Sequence, residues 1–190
     1  MRSGFKWILG IVVIIIVIIF VWGIGSYNGL VSSEQQVDTA KSNIETQLQR
    51  RSDLIPNLVS TVKGYASQEK EIFTDIANAR AQLAGANTIP EQANANAALS
   101  SALSRLLLIV ENYPELKSNQ NFQDLSIQLE GTENRIAIAR QDYNTAVTNY
   151  NTKRRRFPTN IIGNLFGFEA RDYFEASAGA EQVPVVDFNY

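Results

Sequence analysis

The chain contains neither cysteine nor histidine. Without cysteine there is no disulfide, thiolate metal site, cysteine nucleophile or lipoprotein-type anchor. Without histidine there is no imidazole base for a triad, no HExxH zinc site and no histidine proton shuttle. Catalysis is left only carboxylate or lysine chemistry. An excess of positive charge is also missing, since 17 Lys and Arg stand against 19 Asp and Glu. Setting Arg2 and Lys6 aside leaves 15 against 19, a net charge of −4, which argues against nucleic acid as a bulk partner. No stretch alternates apolar and polar residues as a strand would, and the 5 prolines and 11 glycines read as boundary markers.

Charge is absent altogether from Trp7 to Gly25, WILGIVVIIIVIIFVWGIG. About 19 residues at about 1.5 Å rise nearly match a hydrocarbon core of about 30 Å. The run is too long for a secretory signal, and Trp22 just precedes the candidate small-residue cleavage site Gly23-Ile24-Gly25. Trp7 and Trp22 stand near the two ends, where indole rings favour the bilayer interface. The expectation is a retained single-pass anchor. Arg2 and Lys6 precede the run and the next basic residue is Lys41, so the N-terminus is expected in the cytoplasm and residues 26–190 outside.

Four segments then carry helical periodicity. In the first, Leu30, Val37, Ala40, Ile44 and Leu48 form one stripe, and Pro56 predicts a break or kink at Asp53–Pro56. A second runs through Ile55, Leu58, Val62, Tyr65, Ile72, Ile76 and Leu83 and stops at Gly85-Ala86-Asn87. Pro90 opens the third, with Leu99, Leu103, Leu106, Val110 and Tyr113, and Pro114 closes it. The fourth has an a/d seam through Phe122, Leu125, Leu129, Thr132, Ile136, Ala139, Tyr143, Ala146 and Tyr150, ending before Pro158. The fold class is therefore all-α, with a transmembrane helix followed by an antiparallel four-helix bundle of long, coiled-coil-like helices. The expected organisation is a basic flank at 1–6, a transmembrane helix at 7–25, the bundle at 26–157, an amphipathic aromatic segment at 158–174 and an extended tail at 175–190.

In an up-down-up-down bundle the fourth helix returns to the membrane. Its end carries Lys153, Arg154, Arg155 and Arg156, followed by Phe157, Phe166 and Phe168, a basic-aromatic segment suited to anionic headgroups. The structural alternative is that the cations offset the helix dipole while Ile161, Ile162, Leu165 and Phe166 cap the core. Arg50, Arg51 and Asp53 form either an anion or partner site, or a network in which Asp53 caps backbone N–H groups and the arginines tie helices together. Glu69, Lys70 and Glu71 read as a solvated face. Glu111, Glu115, Glu130 and Glu133 lack the histidines that accompany such carboxylates in bundle di-iron sites, so no metal, cofactor or catalytic residue is assigned.

Tyr27-Asn-x-Leu-Val31, Gln49-Arg-Arg-Ser-Asp-Leu-Ile-Pro-Asn-Leu-Val59 and Val62-Lys-Gly-Tyr65 resemble the LemA family. So do Tyr113-Pro-Glu-Leu-Lys117, Asn134-Arg-Ile136, Ala139-Arg140 with Tyr143-Asn144, Phe157-Pro158 through Gly167-Phe168, and the closing Pro184-Val-Val-Asp-Phe188. The resemblance covers nearly the whole chain. It implies a bacterial membrane-anchored helical bundle with no established catalytic mechanism. It also implies an association with membrane-bound metalloproteases and envelope stress, and a magnetosome-formation protein is a relative. The expected function is a non-enzymatic scaffold, adaptor or regulator whose partners are the lipid bilayer and other membrane proteins. The alternative is a self-assembling, membrane-shaping protein.

Overall fold

A computed structural model describes the backbone of residues 2–175 and the side chains of residues 7–175; the tail from 176 onward, including Pro184–Phe188, lies outside the described residues. Every regular element among these is helical: α1 (Arg2–Lys63), α2 (Lys70–Gly85), α3 (Ile89–Val110), α4 (Pro114–Lys117), α5 (Gln120–Arg155) and α6 (Thr159–Leu165).

The break expected at Asp53–Pro56 is not there. α1 is helical for 62 residues with Pro56 inside it. A proline ring cannot donate to the carbonyl four residues back, here that of Ser52. The Arg80 Nε of α2 supplies the missing donor, 3.1 Å from the Ser52 carbonyl and 3.1 Å from the Ser52 Oγ. The cost of proline is thus offset by a neighbouring helix. Arg80→Ala is expected to lower stability by about 1 kcal/mol. Pro56→Ala restores a backbone donor to Ser52, so the Arg80→Ala cost should shrink by at least half in that background. Urea unfolding of the four proteins measures this coupling; equal costs in both backgrounds would refute the compensation.

The second periodic segment is divided instead. Ile55, Leu58 and Val62 extend the buried stripe of α1, whereas Ile72, Ile76 and Leu83 lie on α2. Gly64 lowers helix propensity by about 1 kcal/mol, and charged Glu69 occupies a stripe position. The chain therefore turns over residues 64–69. There Tyr113 Oη donates to Glu69 (3.1 Å) and Asn119 Nδ2 to Tyr65 Oη (3.0 Å). Glu69 is held by this bond rather than left on a solvated face.

α3 starts at a capping box. Thr88 Oγ1 accepts from the Glu91 N–H, while the Glu91 carboxylate accepts from the backbone of Asn87 (2.9 Å) and Thr88 (3.1 Å). Those backbone donors hold the Glu91 carboxyl below its ordinary range. On α5, Phe122, Thr132, Ile136, Ala139, Tyr143 and Tyr150 are buried as the seam predicts. Leu125 and Leu129 are half-buried, and Val147 rather than Ala146 holds the buried position between the tyrosines. From Tyr143 a step of either three or four residues stays on the same face, and the larger apolar side chain takes the inward one.

The chain divides into two compact units. The first joins α1 up to Lys41 to Asp142–Arg171, and its core includes Leu30, Val37, Tyr143, Val147 and Tyr150. The second is Ser42–Gln141 with, among the described residues, Asp172–Glu175, built around Ile44, Ile55, Leu58, Ile72, Ile76, Leu99, Leu106 and Ile136.

Candidate functional site

In the first unit, the end of α5 lies against α1 just past the apolar run. Lys153 Nζ donates to the Gly29 carbonyl (2.7 Å) and contacts Ser33 Oγ (3.2 Å). Arg154 Nε donates to the Phe168 carbonyl, Tyr150 Oη to that of Glu169 (2.8 Å) and Asn151 Nδ2 to that of Arg171 (2.9 Å). These bonds fix residues 168–171 along α5. The Arg171 guanidinium pairs with Glu34 (2.8 Å) and Asp38 (3.6 Å) on α1. Burial pulls Arg171 down, but the hydrogen bond to Glu34 and the Asp38 charge leave it above its ordinary value. Burial, with the Glu34 charge behind it, likewise raises the Tyr150 phenol, which stays protonated as a donor.

After α6 the chain turns at Gly167, whose φ of 74° favours glycine, and the Phe168 N–H returns to the Gly163 carbonyl (2.9 Å). This brings Phe168 edge-on to Tyr27 (5.6 Å between ring centres), with Phe166 also edge-on to Tyr27 (4.9 Å). Ile162 sits 3.8 Å from where a Gly23 β-carbon would be. α6 therefore touches the C-terminal end of the apolar run.

The seven residues named from sequence at this end divide into two groups. Lys153, Arg154 and Phe168 are at least partly buried and bind α1, α5 or the chain that follows α6. Arg155 and Arg156 are exposed, with no side-chain partner among the described residues. Phe157 is 80% exposed and Phe166 58%. Leu165 (73%) and Ile161 also face outward, so only Ile162 of the four proposed capping residues turns inward. The apolar side chains from Trp7 to Ile24 are exposed without exception, and the helix carrying them is long and apolar enough to cross a membrane. These features place the protein at a membrane.

α3 meets the same length and composition test. It differs in burying Leu99, Leu103, Leu106 and Val110, and its buried Gln92 and Asn96 bond to Glu45 and Arg51. It is a core helix.

In the second unit Arg50, Arg51 and Asp53 do not form one network. Arg50 and Asp53 are exposed, and Asp53 accepts from Gln49 Nε2 (2.8 Å) rather than capping a helix end. With no break in α1, no helix end exists there to cap. Arg51 is only 4% exposed. Its Nη1 donates to Asn96 Oδ1 (2.8 Å) and Ser100 Oγ (3.0 Å) on α3 and pairs with Glu133 on α5. Burial lowers its pKa, and the Glu133 charge opposes that shift.

Asn96 and Ser100 were not legible as partners from sequence. The signal lay in the α1 register, where Arg51 follows Leu48 by three and precedes Ile55 by four, a core position once the helix is continuous. Of the four glutamates considered together, Glu111 pairs with Lys117 and Glu133 with Arg51.

The chain matches the LemA family over residues 40–188. It is similar to "Magnetosome protein MamQ 2" of Paramagnetospirillum magneticum, at 27% identity over 186 residues, covering 84% of this chain and 68% of the relative. "Magnetosome protein MamQ" of Magnetospirillum gryphiswaldense is 27% identical over 180 residues, covering 80% and 66%. "Protein LemA" of Metamycoplasma hominis is 25% identical over 176 residues, covering 91% and 79%. The chain thus spans about two thirds of the length of the magnetosome relatives. The matched span takes in both the Arg51 contacts and the α5–α6 end, and this chain belongs to the LemA family.

Proposed function

We propose that this protein is a non-enzymatic, single-pass membrane anchor, N-terminus in the cytoplasm, that scaffolds or regulates other membrane proteins, a membrane metalloprotease complex among them. The helical segments after the anchor act as an antiparallel four-helix bundle. The end formed by α5 and α6 rests on lipid headgroups. One observation carries this last point: exposed Arg155, Arg156, Phe157, Ile161, Leu165 and Phe166 belong to a segment that touches Gly23, at the end of the apolar run. Basic residues beside apolar ones are suited to an anionic interface, at about 1 kcal/mol for each Lys or Arg near the surface. Lys153, Arg154 and Phe168 support that end from within instead.

A photo-crosslinking side chain at Phe157, and separately at exposed Leu108 of the second unit, tests both halves in native membranes. Phospholipid adducts are expected at 157, falling severalfold when Arg155 and Arg156 become Gln. At 108, a stoichiometric membrane-protein partner is expected. Absence of lipid adducts at 157 rejects the headgroup contact. Self-adducts alone at both positions would replace the adaptor with the self-assembling, membrane-organising reading.

A further inference from the structure

Within the second unit, α1, α3 and α5 line a groove of about 390 Å³ walled by Leu58, Leu103, Leu107 and Leu129. Leu107 is 48% exposed and Leu129 half-buried, so apolar surface is open to water on that side. The course of the chain after α6 indicates what covers it. In the first unit this chain runs against the direction of α5, with the Phe168 carbonyl at Arg154 and the Arg171 N–H at Asn151. In the second unit Phe174 is buried and the Arg140 guanidinium lies 4.7 Å from its ring centre. Arg140 Nη2 also donates to the Glu175 carbonyl (3.2 Å). Counting back from Arg140 in sevens gives Glu133 and Ser126, on the same face of α5 because seven residues are close to two turns. Both line the groove. Glu175 is therefore held on the face of α5 that leads into it.

After Glu175 the sequence continues for 15 residues. Glu133 and Leu129 stand 7 and 11 residues before Arg140, about 10 and 16 Å along the helix. Ala176–Gln182, all small or polar residues, can span about 23 Å when extended, which reaches the groove with length to spare. The apolar run Val183-Pro-Val-Val-Asp-Phe188 comes next. We propose that the groove is a docking site for an extended apolar peptide, and that its occupant is this chain's own Val183–Phe188. Alternation places Pro184, Val186 and Phe188 inward and turns Asp187 to water, away from the exposed Glu130 at the groove. The helical walls have their backbone groups bonded internally, so the segment binds through side chains, and Pro184 has no N–H to leave unpaired. Tethering at Glu175 gives the segment an effective concentration of the order of mM, which favours it over the same segment of a second copy.

The absence of native cysteine makes disulfide trapping a clean test in the full chain, held in lipid nanodiscs. Phe188→Cys is paired with Leu107→Cys at the groove, or with Ala77→Cys, an exposed site on α2, and oxidised with copper phenanthroline. Non-reducing gels and peptide mass spectrometry should show an intrachain 107–188 disulfide forming at least tenfold faster than the 77–188 one. Adding Val186→Asp should slow the 107–188 disulfide at least tenfold, because apolar contact and not the tether alone holds the segment there. Melting temperatures of the reduced proteins within a few degrees of the native chain confirm that each variant is folded. Rates within twofold at the two sites, a 107–188 disulfide unaffected by Val186→Asp, or 107–188 disulfides found only between chains would each overturn the proposal, the last by assigning the groove to a second copy.

Discussion

Arg51→Met is expected to destabilise the protein by about 3 kcal/mol, near the lower end of the range for removing one member of a buried ion pair. The substitution keeps the unbranched stem out to about the position of Nε, so the packing around that stem is retained while the end of the guanidinium is lost. What remains is chemically unmatched: Asn96 Oδ1 and Ser100 Oγ lose their donor, and Glu133 loses its cation. Glu133 is 45% exposed and swings toward water more easily than a fully enclosed carboxylate, which keeps the cost from the top of the range. The triple change Arg51→Met, Asn96→Leu, Glu133→Leu should recover most of the loss, since apolar replacement of a whole buried network is often neutral or stabilising. Urea unfolding followed by circular dichroism measures both. A single-variant cost below about 1 kcal/mol would mean that Arg51 does not hold α1, α3 and α5 together.

Ile136→Asp is expected to abolish cooperative unfolding of the second unit at neutral pH. Ile136 is fully buried, and an unpaired carboxylate there costs several kcal/mol out of a typical total of about 5–15. The cost is pH-dependent. Burial raises the aspartate pKa in the folded state, so the neutral acid is tolerated and the penalty grows as pH rises above about 3.9, the unfolded value. Acidification toward pH 4 should therefore return part of the melt, unlike a cavity-forming Ile136→Ala. Ile138→Asp, two residues away at an exposed position, should change stability by no more than about 0.5 kcal/mol. A full-amplitude melt of Ile136→Asp at pH 7 would reject its place in the core. Leu129, the third seam position, is a weaker test, because it is only half-buried.

Much of the fold was legible because burial follows period. Leu30, Val37, Ala40, Ile44 and Leu48 are all buried, as are Leu99, Leu103, Leu106 and Val110. The boundary at 53–56 was misplaced because a proline was weighed only against its own helix. Its remedy, Arg80, lies 28 residues from Ser52 and has no local signature. The same misplacement hid Arg51: a break before Ile55 puts a charged residue at a helix end, whereas continuity puts it in the core. At the membrane end, the basic-aromatic composition was plain, but the roles within it were not. Lys153 and Arg155 are both cations near the end of one helix, yet only Lys153 meets the Gly29 carbonyl.

By itself the sequence determined the all-helical class, the exposed apolar run and the absence of cysteine and histidine chemistry. These depend on composition and on a period repeated over many residues, and no single contact alters them. Only the tertiary structure decided which charges are buried, how the Ser52 carbonyl is satisfied, and which of Phe157 and Phe168 faces outward. Those outcomes depend on donors and acceptors far apart in the chain meeting within about 3 Å, a condition that local patterning does not encode.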